Sequence, residues 1–190
     1  MDDAAVMPAR HKLDVHDYYR MAEVGILARH DRVELIDGEI MDMAPIGQGH
    51  AGAVNWLNQA LVLACGDRAI VSTQNSVRID RWNAPQPDFA VFRFRADFYM
   101  TGMRASPADV LLVIEVSDSS LRYDQTVKLP LYARAGLPEY WVVDLQNGVL
   151  DAYHGPEGDG YAQHTPYRQG ARLALATDPG IALTLDKVFG

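Results

Sequence analysis

The sequence contains a single cysteine, Cys65, among 190 residues. One cysteine excludes an internal disulfide and a zinc site built from several thiolates. Because such scarcity is typical of proteins in a reducing compartment, we expect a cytoplasmic location.

Long hydrophobic runs are also lacking. No stretch reaches the roughly 18 apolar residues that a membrane-spanning helix requires. The first segment, MDDAAVMPARHKLD, begins with acids and has no apolar signal-peptide core. The sequence therefore predicts a soluble protein that makes no contact with a membrane and is not secreted.

Positive charge is in short supply, since 17 Lys and Arg oppose 25 Asp and Glu for a net charge of -8. This balance argues against a global attraction to DNA or RNA, so a phosphate-handling site would need local cations or a metal. Six mid-chain arginines could form a local patch, although solvated surface is the commoner role of such residues; they are Arg78, Arg81, Arg93, Arg95, Arg104 and Arg122.

Several catalytic motifs are missing. The chain has no G-x-S-x-G nucleophile elbow, no glycine-rich phosphate loop and no H-E-x-x-H helix. Its six histidines are scattered, without the compact spacing of metal ligands. These absences exclude the hydrolase, nucleotidase and metalloprotease classes that the motifs define.

What is present is enough apolar sequence for one sizeable core. Hydrophobic residues make up 48% of the chain, and no linker divides it. We therefore expect a single domain over residues 1–190, with residues 1–13 as a flexible tail.

Helical and extended patterns alternate along this domain. Asp14 can cap a helix to about Ala28, and the Asp37-Gly38 dipeptide predicts a β-hairpin. Further helices are predicted at about 51–65 and 124–135, and strands at 70–79, in PDFAVFRF, in DVLLVIEV and in EYWVVDL, before C-terminal hairpins. The fold class is α/β or α+β, with a mixed sheet flanked by helices.

The segment IEVSDSS carries the first chemical signal. The apolar run Val110 to Ile114 predicts a central strand buried on both faces, yet it continues into Glu115, whose side chain shares a face with Ser117. A buried carboxylate is costly unless it is paired or binds a cation.

A second acid, Asp88, begins the neighbouring predicted strand after Pro87. Two acids at the ends of adjacent strands can bind one hard cation between them. Mg²⁺ accepts a few oxygen ligands and keeps waters, so Asp88, Glu115 and a backbone carbonyl such as that of Val116 would suffice, with Mn²⁺ as a substitute.

Five segments follow one another in a recognisable order along the chain from Asp14 onward. They are VELIDGEI, GH, PDFAVF, VIEVSDSS and DQTVKLPLYARAGLPEYWVVD. Together they resemble the Uma-type restriction endonuclease family, a branch of the PD-(D/E)XK nuclease superfamily. The resemblance implies a restriction-endonuclease-like core and a metal-dependent endonuclease that hydrolyses nucleic acid, with DNA the favoured substrate.

The resemblance also implies residue roles. Asp88 matches the first metal-binding acid and Glu115 the acid of the E-x-K element. Ser117 stands where that element has its lysine, and the family pattern places a lysine on the following helix instead, here Lys128.

An additional acid of the superfamily matches Glu34, with Glu39 as the alternative. The family also places a histidine at His50, whose role the resemblance does not assign.

Structural interpretations compete with these roles. Asp88 could terminate a strand, Glu115 could pair with Arg122 or Lys128, and Lys128 could pair with Asp124 four residues earlier.

At the level of function, Ser117 and the net negative charge favour a non-catalytic nucleic-acid- or protein-binding module on a degenerate nuclease fold. A hydrolase of small phosphoesters is a further alternative. A homodimer would suit cleavage of two strands.

Overall fold

The computed structural model describes residues 9–28, 30–101 and 105–190. Most of the predicted tail and Arg104 lie outside the described residues. In chain order the elements are α1 (Val15–Glu23), β1 (Val33–Ile36), β2 (Glu39–Asp42), α2 (Gln48–Cys65), β3 (Ala69–Thr73), β4 (Phe89–Arg93), a short 3-10 turn (Pro107–Asp109), β5 (Val110–Ser117), α3 (Leu121–Tyr123), a π-helical turn (Asp124–Lys128), α4 (Leu129–Arg134), β6 (Glu139–Asp144), β7 (Val149–Glu157), β8 (Gly160–Tyr167), β9 (Arg172–Ala174) and β10 (Ala182–Thr184).

Six strands form a mixed sheet in the order β3-β4-β5-β6-β7-β8. Strands β5 and β6 are parallel, and the other neighbours in this sheet are antiparallel. The helical segment from α3 to α4 makes the crossover that a parallel pair requires. The predicted mixed sheet flanked by helices is confirmed. Of the C-terminal strands, β7 and β8 extend this sheet, whereas β9 and β10 pair with each other.

Strand β5 is buried along its whole length, as its apolar run predicts. Leu112, Ile114 and Val116 pack in the core that α2 covers, and Val113 packs in the opposite core beneath α4. Since side chains alternate between faces, Glu115 projects on the α4 side.

The N-terminal hairpin forms as predicted. Asp37 and Gly38 have φ values of 50° and 76°, and β1 pairs with β2 around them. A Cβ on Gly38 would lie 2.7 Å from the Cβ of Lys12, so the position favours glycine for its conformation and for its close neighbour. This two-stranded unit is separate from the main sheet and meets residue Ala84 through a bridge at Leu35.

Helix boundaries differ from the predicted ones. Asp14 caps α1 by accepting hydrogen bonds from the amides of His16 and Asp17, but α1 ends at Glu23 instead of Ala28. Gly25, with φ of 79°, follows this end, and Ile26 is 66% exposed, so no packing supports a longer helix.

Two further boundaries lie earlier than predicted. Helix α2 begins at Gln48, three residues early, and His50 is therefore in its first turn. The last helical segment begins at Leu121, three residues before Asp124. Among the described residues, no helix combines the length and apolar character that crossing a membrane requires.

The prediction for the fold concerns two leucines of α2. Leu57 is fully buried, whereas Leu63 is 75% exposed. Leu57→Ala should lower the free energy of unfolding by about 2–5 kcal/mol, because it leaves a cavity between α2 and the sheet. Leu63→Ala, the same chemical change, should shift it by less than about 0.5 kcal/mol. Urea denaturation measures both, and equal losses would contradict this packing of α2.

Candidate functional site

Asp88 lies immediately before β4 and connects three elements. Its Oδ2 accepts a hydrogen bond from the backbone amide of Val116 at 2.9 Å and lies 3.1 Å from Nε2 of His50. Its Oδ1 accepts from the side chain of Gln74 at 3.2 Å. Burial by itself would raise the pKa of Asp88, but the hydrogen bond and charge of His50 and the Val116 amide hold that pKa below its usual range.

Glu115 faces the helical segment that follows β5. Its Oε1 lies 2.9 Å from Nζ of Lys128 and accepts a hydrogen bond from the hydroxyl of Tyr132 at 3.0 Å. The structure thus brings Lys128 to Glu115 from the next helix. This pair matches both the migrated-lysine hypothesis and the structural ion-pair alternative.

Glu34 enters the same site from β1. Its Oε2 lies 3.2 Å from Nζ of Lys128 and accepts from the amide of Gln86 at 3.0 Å, while its Oε1 accepts from Tyr123 at 3.2 Å. Glu39, the alternative acid, is instead on the outside of the hairpin and pairs with Arg10 at 2.8 Å. The structure therefore places Glu34, and not Glu39, beside the other candidates.

Asp124 is a site residue that sequence analysis treated only as a partner of Lys128. Its Oδ2 accepts hydrogen bonds from the hydroxyls of Ser117 at 2.7 Å and Ser120 at 2.6 Å. The nitrogen of Lys128 pairs with Glu34 and Glu115 rather than with Asp124. Ser117 is thus a hydrogen-bond donor to a buried acid.

Asp124 and Lys128 are the first and last residues of the π-helical turn, and both are buried, with exposed fractions of 2% and 3%. A π turn is wider than an α turn, and such turns occur often at functional sites. The sequence signal that was available is the spacing of Ser120 and Asp124 at the start of the helical segment, but nothing in it predicts the wider turn.

A cavity of about 300 Å³ joins these groups. It is lined by each predicted site residue, namely Glu34, Asp88, Glu115, Val116 and Lys128, and also by His50 and Asp124. Residues 43–47, between β2 and α2, form one wall.

The mid-chain arginine patch does not reach this cavity. Of the six arginines considered, the five in the described part of the chain are absent from its lining, and Arg104 lies outside the described residues. Arg81 pairs with Asp14 and Arg95 with Asp97. The cavity arginine is Arg32, which sequence analysis missed because it lies outside the cluster of arginines in mid-chain.

Negative charge outnumbers positive charge inside the site. Burial raises the pKa of Glu115 well above its ordinary value, and burial also raises that of Asp124. Burial alone would lower the pKa of Lys128, yet the carboxylates of Glu115 and Glu34 raise it. With Asp88 and Glu34, the site thus holds four buried acids and one buried ammonium, and a cation would stabilise the ionised form of these acids.

The donor set fits Mg²⁺ with a small number of protein ligands. Within the described ranges, no three His, Cys, Asp or Glu side chains form a ready group of metal ligands. Asp88 and Glu115, the carbonyl of Val116 and water are oxygen donors of the kind that Mg²⁺ accepts.

Comparisons with known proteins identify the family of the chain. The model of the Uma2 family, described as "Putative restriction endonuclease", matches residues 15–186. The chain belongs to this family. Membership supports a nuclease-like function and implies nucleic-acid binding. No curated protein matches the sequence.

A solved structure shares the fold. The chain is similar to the crystal structure of "a putative nuclease belonging to DUF820" from Anabaena variabilis, with a TM-score of 0.72 and 11% sequence identity. The match covers 93% of this chain and 97% of the other. At this identity the likeness shows the nuclease-like fold. It assigns no role to any residue of this chain.

The prediction for the site concerns Asp124, whose ordinary pKa is 3.8 and whose pKa burial raises. The folded protein therefore keeps this proton to a higher pH than the unfolded chain, and the free energy of unfolding falls as pH rises through that window. Asp124→Asn keeps one side-chain oxygen, which is enough because Oδ2 accepts both serine hydrogen bonds. In metal-free buffer its Tm should exceed that of wild type at about pH 8, and the difference should shrink towards about pH 4.

The control is Asp118→Asn, a change at an exposed acid of the same cavity lining. Its Tm should follow that of wild type at both pH values. A lower Tm for Asp124→Asn at about pH 8 would show that the Asp124 charge stabilises the fold.

Proposed function

We propose that the protein is a Mg²⁺-dependent endonuclease that hydrolyses phosphodiester bonds of nucleic acid, with DNA as the favoured substrate. The observation that carries the proposal is the convergence of Glu34, Asp88, Glu115 and Lys128 on one open cavity. A purely structural ion-pair cluster does not require a cavity of about 300 Å³ beside its charged groups.

Asp88 and Glu115, with the carbonyl of Val116, would hold the ion. When bound, Mg²⁺ supplies stabilisation of negative charge on phosphate oxygens and lowers the pKa of water. The two acids are held for this role by neighbours: His50 and Gln74 fix Asp88, and Tyr132 fixes Glu115.

Lys128 would orient the attacking water. Its ammonium has three protons, and its contacts with Glu115 and Glu34 leave one for a water or a phosphate oxygen. Because both carboxylates raise its pKa, Lys128 remains charged at neutral pH. A fixed cation at this place stabilises charge that develops in the transition state.

A non-catalytic nucleic-acid- or protein-binding module is the second candidate. The observation in its favour is that both oxygens of Asp88 already accept hydrogen bonds from protein groups. Plasmid nicking separates the two candidates, since a binding module would retard the plasmid without cutting it. Turnover of a small phosphodiester without nicking would instead indicate a small-molecule hydrolase.

The first functional prediction is that Asp88→Asn lowers Mg²⁺-dependent nicking of supercoiled plasmid by at least about 100-fold, or about 2.7 kcal/mol of transition-state stabilisation. It should also abolish the heat of Mg²⁺ binding in calorimetry, because one of two carboxylate ligands is lost. Asp67→Asn, at an exposed acid just beyond α2, is the matched control and should nick at the wild-type rate. Undiminished nicking by Asp88→Asn would remove Asp88 from the mechanism.

The second functional prediction concerns the lysine that has moved from the strand to the helix. Lys128→Ala should slow nicking by about 10- to 1000-fold, at about 1.4 kcal/mol per tenfold. Ser117 lies on the Glu115 side of β5, so adding Ser117→Lys should restore part of the rate.

Lys12→Ala, at an exposed lysine that pairs with Asp37, is the control for loss of an ammonium group. Circular dichroism checks that each variant is folded. If folded Lys128→Ala nicks as fast as wild type, Lys128 serves only as a structural partner of Glu34 and Glu115.

A further inference from the structure

The lining of the cavity opposes the entry of a phosphodiester. It contains six acids, namely Glu34, Asp42, Asp88, Glu115, Asp118 and Asp124. In the described part of the lining, the lysines and arginines are Lys128 and Arg32. Lys128 is 3% exposed and already pairs with two carboxylates, so its charge acts within the site and attracts little from the solvent.

Arg32 stands at the mouth of the cavity because of its place in the hairpin. It directly precedes β1, and its carbonyl accepts a hydrogen bond from the amide of Met43 at 2.8 Å, which extends the β1–β2 pairing to Arg32. In extended chain, residues two apart share a face, so Arg32 lies on the same face as Glu34. Glu34 reaches the floor of the site, and Arg32 lines its mouth together with an adjoining surface groove that includes Leu27 and Pro45.

The guanidinium of Arg32 has donors to spare. Nη1 donates a hydrogen bond to the carbonyl of Ala44 at 2.5 Å. This bond connects Arg32 to the cavity wall formed by residues 43–47. Arg32 forms no ion pair with a described acid, although Asp31 and Asp42 line the same groove. Six other described arginines each pair with an acid, at positions 10, 20, 68, 81, 95 and 134, whereas Arg93, like Arg32, contacts a carbonyl and forms no ion pair with a described acid.

From these contacts we propose that Arg32 binds a backbone phosphate of the nucleic acid where the strand enters the cavity. A guanidinium with five N–H donors can hold a carbonyl and still offer two parallel donors to phosphate oxygens. Its charge offsets the repulsion between the strand and the acidic lining, in a protein whose net charge is -8. This inference rests on the proposed nuclease function and adds to it the residue that admits and positions the strand.

The test measures binding apart from cleavage. A short fluorescein-labelled DNA duplex is titrated with protein in Ca²⁺ instead of Mg²⁺, and its anisotropy is recorded at several salt concentrations. Arg32→Gln should weaken binding about tenfold and lower the slope of log K against log salt by about 1, because one phosphate contact is lost. Arg32→Lys keeps the charge and should retain the slope while losing part of the affinity.

Arg93→Gln is the matched control. Arg93 also donates to a loop carbonyl, that of Ala108 at 3.2 Å, but it lies at the end of β4 opposite Asp88. The control should leave both affinity and salt slope at wild-type values. Thermal melting verifies the folding of each variant. If Arg32→Gln fails to fold, Arg32→Lys is compared with wild type instead. Equal affinity of these two proteins would contradict a bidentate contact between Arg32 and phosphate.

Two negative results have different meanings. If wild type binds the duplex and nicks plasmid while Arg32→Gln matches it in affinity and slope, the role of Arg32 is overturned and the nuclease function stands. If wild type neither binds the duplex or its RNA counterpart nor nicks plasmid, the nuclease function is overturned together with the role of Arg32. A loss for Arg93→Gln equal to that for Arg32→Gln would also overturn the inference, because it would indicate general charge attraction.

Discussion

The site depends on the ion pairs that the buried ammonium of Lys128 forms with Glu34 and Glu115. This ammonium joins Glu115 of the central strand β5 to Glu34 of a hairpin that is not part of the main sheet. An unpaired buried charge costs several kcal/mol. Loss of Glu34, Glu115 or Lys128 would therefore leave a buried charge without its partner. The hairpin thereby forms one side of the cavity, and it carries Arg32 to the mouth.

The same cluster is costly in the absence of a cation. Four acids are buried near one ammonium that pairs with only two of them, and burial raises the pKa of Glu115 and Asp124. Proteins keep such arrangements where function requires them, at the expense of stability. Hydrogen bonds relieve part of the cost: His50, Gln74 and Val116 donate to Asp88.

The helical segment after β5 supplies the ammonium beside Glu115. Lys128 reaches Glu115 at 2.9 Å from the π-helical turn. Position 117 carries a hydroxyl, which donates to Asp124.

The sequence by itself determined the local and periodic features. The Asp37-Gly38 turn, the buried β5 strand and the presence of an acid just before β4 and another within β5 all follow from short-range patterns. The order of segments also indicated the family. Tertiary structure alone decided the contacts of Asp124 and Arg32, the end of α1 and the π-helical turn. These depend on which side chains meet across distant segments, and neither periodicity nor spacing records such contacts.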